Sequence, residues 1–145
     1  MKIDYQKILN KNMLKVLIEV LNNIKKNGIN DGHHLYITFL TNHPGVSLPK
    51  WIKEKYPYEM TIVIQYEYYN LKINKNDFII GLSFNNVKTD IKVSYESVLS
   101  FADPHANFGL KFPGHMALNK NKKVKISSKN IKKNNVIDFK KFKKN

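Results

Sequence analysis

The stretch MTIVIQYEYYNL, residues 60–71, decides the fold class. Met60, Ile62, Ile64, Tyr66 and Tyr68 fall on one face of a period-two repeat, and Thr61, Val63, Gln65, Glu67 and Tyr69 on the other. The first face is wholly apolar or aromatic, which marks a long half-buried β-strand.

The same alternation recurs on both sides of it. His33, Leu35, Ile37 and Phe39 alternate with His34, Tyr36, Thr38 and Leu40. Phe78, Ile80, Leu82 and Phe84 alternate with Ile79, Gly81 and Ser83, and Val87, Thr89, Ile91, Val93 and Tyr95 with Lys88, Asp90, Lys92 and Ser94. Only Asn85 and Asn86 separate those last two runs. Asparagine tolerates positive φ, so the pair predicts a tight type I′ hairpin. Pro44, Gly45 and Pro49 punctuate a loop before a short helical stretch at Trp51 to Lys55. Residues 94–101 read as a short helix or turn broken by Asp103-Pro104, and Ala106, Phe108, Leu110 and Phe112 read as a final strand. Five antiparallel strands with short connections predict a small twisted sheet curled into a partial β-barrel.

Ahead of the strands, residues 4–26 predict one amphipathic helix. Ile8, Leu9, Met13, Leu14, Val16, Leu17, Val20, Leu21 and Ile24 recur at three- and four-residue steps. Asp4 is the expected N-cap and Gly28 the expected stop. The apolar stripe is wider than one sheet needs. Deep packing in its own domain explains that width, and so does contact with a second copy of the chain; the second reading is favoured.

After Phe112 the patterning stops. The chain has 145 residues, enough for one domain, and a formal net charge of +14. Every one of its 25 basic residues is lysine, and eleven of them lie from Asn119 onward against the single acid Asp138. Residues 113–135 are rich in Lys and Asn, with seven and five of them, and are expected to be a disordered linker. Residues 136–145, VIDFKKFKKN, bring apolar side chains back, which is the form of a short docking peptide on a tether.

Zero cysteine excludes disulfides, thiolate zinc sites and cysteine nucleophiles. No apolar run approaches the ~20 residues that span a bilayer, and the first residues lack a signal-peptide core. A soluble cytoplasmic protein with no cofactor is expected. His33 and His34, adjacent in a strand, point to opposite faces, while His43, His105 and His115 stand in loops without partners at metal-ligand spacing. Glu59 and Glu67 lie ~26 Å apart along an extended strand, too far to act as a carboxylate pair on one bond. No nucleophile-elbow, phosphate-loop or zinc-protease motif occurs. An enzyme is not expected.

An RNA-binding protein of Sm-like or oligonucleotide-binding-barrel type, with a basic tail, is the competing reading, since exposed aromatics on a small barrel stack bases. Against it, most aromatics here fall on faces assigned to the core, and the lack of arginine removes bidentate base and phosphate contacts. The remaining candidate surface is the odd face of the 60–71 strand with its neighbour. There Gln65 and Glu67 supply hydrogen-bonding groups, Ile79 an apolar contact and Gly81 a bare backbone. That pattern fits an extended peptide and an ordinary solvated face equally well.

Three strings carry a resemblance: HHLYITFLTNHPGVSLP from His33, YPYEMTIVIQYEYYNL from Tyr56 and SFADPHANFGLKF from Ser100. Over residues 31–112 the chain resembles the stringent starvation protein B (SspB) family. That resemblance implies an Sm-like partial barrel acting as a proteolysis adaptor. It would hold the ssrA tag, which is added to polypeptides from stalled ribosomes, and deliver tagged chains to the ClpXP protease. It further implies a homodimer built through residues 1–30, with Met13, Leu14, Leu17, Ile18 and Leu21 at the interface. Gln65 then lies on the tag-binding strand, with Phe101 and Phe108 at the groove rim. Val136, Ile137, Phe139, Phe142, Lys143 and Lys144 match the family's ClpX-docking peptide in character. Glu67, Tyr69 and Asn70 depart from the Gln, Trp and Asp of the corresponding family string.

Overall fold

The computed structural model describes residues 2–29, 32–65 and 67–112. The expected linker and docking peptide, with Val136, Ile137, Phe139, Phe142, Lys143 and Lys144, lie outside the described residues, as does Tyr66.

Helix α1 spans Tyr5–Asn27. The Asp4 carboxylate accepts the Lys7 N–H at its start, while Gly28, at φ 79°, donates its N–H to the Ile24 carbonyl at its end. Lys25 and Lys26 complement the negative end of the helix dipole. Met13, Leu17, Leu21 and Ile24 form its buried face.

The expected architecture, mainly β with an N-terminal helix, is what forms, as two open antiparallel sheets. The strands are β1 Leu35–Leu40, β2 Glu59–Ile64, β3 Tyr69–Ile73, β4 Asp77–Phe84, β5 Val87–Ser94, β6 Val98–Asp103 and β7 Phe108–Lys111, with helix α2 at Lys50–Lys55. One sheet runs β2-β1-β6-β7 and the other β3-β4-β5. Inward side chains of both sheets, among them Ile37, Phe39, Ile62, Ile64, Phe78, Ile80 and Val93, share one core with the helix. Each such side chain contributes about 1.5–3 kcal/mol on full burial. Among the described residues no helix is long and apolar enough to cross a membrane.

The seven strands differ from the expected five in two places. The run expected as one strand over residues 60–71 is two, β2 and β3, in different sheets. Asn70 adopts the left-handed conformation at φ 51°, and the β3–β4 register shifts between Tyr69 and Lys72. This bulge flips the parity of the buried face, from Met60, Ile62 and Ile64 to Leu71. Consecutive tyrosines hide that flip in the sequence. Strand β6 occupies much of what reads as a helix or turn; only Tyr95–Ser97 form a 3-10 turn there. Val98, Leu99, Phe101 and Ala102 are all buried, because β6 is a central strand covered on both faces. It therefore shows no alternation. The final strand begins at Phe108 because Ala106 belongs to a 3-10 turn, Pro104–Ala106. Asn85 and Asn86 sit at φ 53° and 66°, as the expected hairpin turn requires.

Gly81 has a use within the chain. A Cβ there would overlap the Tyr69 ring and lie 2.7 Å from the Asp90 carboxylate. Gly81→Ala is expected to cost about 1–3 kcal/mol through overpacking. Much of that loss should vanish when Tyr69→Ala is added, as chemical denaturation of the two single variants and the double variant would show.

Tyr95 closes the corner between β5 and β6. Its hydroxyl donates to the Asn74 carbonyl at 2.9 Å, and its ring stacks on Phe78. Burial, reinforced by the Asp77 carboxylate, pushes its phenol up to about 12. Because the folded value lies above the unfolded one, this stabilisation is complete below about pH 10 and is lost as pH rises toward the folded value. Ultraviolet titration should show Tyr95 ionising late, near its raised value. Tyr95→Phe should remove that late step.

Candidate functional site

The helix and the β2-β1-β6-β7 sheet leave a cleft of about 300 Å³ at the C-terminal end of α1. Val20, Asn23 and Ile24 form one wall, and Gly28 and Ile29, where the chain leaves the helix, form the back. His33 and Leu35 at the start of β1, Phe101 and Asp103 from β6, and Ala106 and Phe108 complete it.

Local geometry sets each side chain. Asp103 Oδ1 accepts the Ala106 N–H at 3.3 Å and so caps the turn that follows β6. Asn107, left-handed at φ 55°, then redirects the chain into β7. This leaves Phe108 41% exposed on an edge strand, above Phe101, which is only 1% exposed. Their ring centroids are 6.1 Å apart, and Phe112 backs Phe101 at the same distance. Phe101 is thus the floor and Phe108 the lip. The polar lining is sparse: Asn23, and a His33–Asp103 pair with Nδ1 2.8 Å from Oδ2. An apolar groove with a few convergent polar groups suits a ligand that is partly hydrophobic and must be oriented.

Of the residues expected to bind a peptide, the structure brings Phe101 and Phe108 together. Gln65, half-buried, directly follows Ile64, whose register partner Leu35 lines the cleft. Glu67 is exposed in the link between β2 and β3. Ile79 and Gly81 belong to β4 in the other sheet, Ile79 opposite Lys72 and Lys92, and Gly81 under the Tyr69 ring. The helix wall and the His33–Asp103 pair were not among the expected site residues. Seventy positions separate the two partners, and no periodicity links them.

Of the expected interface residues, Met13, Leu17 and Leu21 are covered by the chain's own core, while Leu14 and Ile18 pack partly against it. A second apolar stripe is exposed: Tyr5, Ile8, Leu9 and Val16 lie three, four and eleven positions on from Tyr5, one line along the helix.

Histidines fill local roles. His43 Nδ1 accepts the Gly45 N–H at 2.9 Å, and His105 stands edge-on to His33. Among the described residues no three His, Asp or Glu side chains converge as a metal site would require. His115 lies outside the described residues.

Comparison with curated proteins finds no match. The family model described as Stringent starvation protein B matches residues 8–144, nearly the whole chain. With that span covering both sheets and the cleft between helix and β7, the chain belongs to the stringent starvation protein B family, a family of proteolysis adaptors rather than of enzymes.

Proposed function

We propose that this chain binds ssrA-tagged polypeptides in the α1–β7 cleft and delivers them to ClpXP as a cytoplasmic homodimer. The observation that carries the reading is the half-exposed Phe108 above a buried Phe101, at the mouth of an apolar groove bordered by an edge strand. An extended peptide can lie along such an edge while its side chains enter the groove. Gln65 stands at the end of the neighbouring wall, within the IVIQ string (residues 62–65) that resembles the family's tag-binding strand.

The tether to ClpX is assigned to Val136, Ile137, Phe139, Phe142, Lys143 and Lys144, and residues 113–135 to the linker. The second copy is assigned to the exposed stripe of Tyr5, Ile8, Leu9 and Val16. An aromatic at the centre of a peptide site commonly carries more than 1 kcal/mol of the binding energy. Phe108→Ala is therefore expected to weaken ssrA-peptide binding about tenfold, read by fluorescence anisotropy. Its thermal stability should change little because the ring is already half in water. Unchanged affinity would place the peptide elsewhere.

A further inference from the structure

Asp103 is the only carboxylate among the described residues lining the cleft, and it is tied to an imidazole. One of its oxygens caps the Pro104–Ala106 turn and the other faces His33 Nδ1 at 2.8 Å. The two side chains are 22 and 28% exposed, so water screens their charges only in part. A second imidazole, His105, meets the His33 ring at 4.3 Å between centroids and 68° between planes. Gly32 backs that second ring, 3.4 Å from the position of a Cβ.

The charge of this cluster follows from its partners. With Asp103 ionised and His33 neutral, Nδ1 carries the hydrogen and donates to Asp103, and the pair holds one negative charge. A proton on His33 converts the hydrogen bond to an ion pair with no net charge. A second proton, on His105, makes the rim positive. Two imidazoles in ring contact repel when both are charged. The titratable groups facing His33 among the described lining and contact residues are Asp103 from β6 and His105 from the following turn. The helix wall offers Asn23, which does not titrate. The chain as a whole, at +14, attracts acidic partners. Asp103 is the lining charge that opposes such a partner inside the cleft.

We propose that the Asp103–His33–His105 cluster makes peptide capture pH-dependent, with peptides bearing a carboxylate side chain held more tightly as the imidazoles take up protons. This rests on the adaptor reading above and adds to it the charge of the peptide that the cleft selects.

The test uses the full chain and two fluorescent ssrA-type peptides, one carrying a carboxylate side chain and the other the corresponding amide. Anisotropy titrations at about pH 8 and about pH 6 span the histidine range. The carboxylate peptide should bind about fivefold more tightly at the lower pH, the size of effect expected of one partly screened charge. The amide peptide should show a ratio near unity. In the double variant His33→Asn, His105→Asn the ratio for the carboxylate peptide should also fall to near unity. A wild-type ratio of one, an equal ratio for both peptides, or an undiminished ratio in the folded double variant would overturn the inference while leaving the adaptor reading in place. Binding of neither peptide at either pH would overturn the adaptor reading, and the inference with it. The peptide pair probes the same charge without altering the protein, so it decides the matter even if the double variant fails to fold.

Discussion

A chain truncated after Asn135 is expected to bind an ssrA peptide as tightly as the full chain and to give no stimulation of ClpXP degradation. The described lining of the cleft runs from Val20 to Phe108. Those ten residues combine four apolar side chains with four lysines, a composition suited to weak, reversible docking. If residues 113–135 are the coil-like linker proposed above, their 23 residues would span about 25–30 Å root mean square, and about 80 Å at full extension. Weak docking then gains through effective concentration, because the captured substrate and two tails act on one machine. Losing the tails should cost the whole avidity gain, 100-fold or more on the order-of-magnitude scale for linked contacts. Degradation of a tagged reporter at limiting substrate reads the effect directly. Undiminished stimulation by the truncated chain would reject the tether.

Leu17→Asp and Val16→Asp, one residue apart, should have opposite consequences. Leu17 is 0% exposed within a single chain. An aspartate there leaves a carboxylate without a partner in the core and removes a large apolar side chain, at a cost of about 4 kcal/mol or more. Loss of the cooperative thermal transition is expected, which is a different outcome from clean dissociation. Val16 is 38% exposed, on the stripe with Tyr5, Ile8 and Leu9. Val16→Asp should therefore keep the fold by circular dichroism and lower the mass by light scattering to that of one chain. A folded Leu17→Asp monomer, or a Val16→Asp protein that remains dimeric, would reverse the assignment of the two helix faces.

These two variants also mark where reading the sequence succeeds and where it stops. Helix α1 was legible from Asp4 to Gly28 because capping chemistry and three-to-four spacing are local. Its two apolar faces merged into one wide stripe, because periodicity records apolarity and not which partner covers it. Strands β1, β4 and β5 were legible because each has one wet face, and the Asn85-Asn86 turn because its φ values demand such residues. Strand β6, covered on both sides, lost the alternation that would have revealed it. The break between β2 and β3 turns on the backbone of Asn70, beside tyrosines that suit either face. At the site, Phe101 and Phe108 came from a resemblance carried by one contiguous string. His33 and Asp103 meet only after β1 and β6 pair, so their contact is a product of topology. Gly81 was legible as a close approach but not as one filled by Tyr69 of the same chain.

The central claim is that the cleft between α1 and β7 grips a degradation tag, and calorimetric titration of the full chain with an ssrA peptide tests it most directly. Saturable binding of one peptide per chain is predicted, with a negative heat-capacity change from burial of apolar surface against Phe101 and Phe108, and with markedly weaker binding in Phe108→Ala. No measurable heat at any temperature, confirmed by an anisotropy titration without saturation, would contradict it.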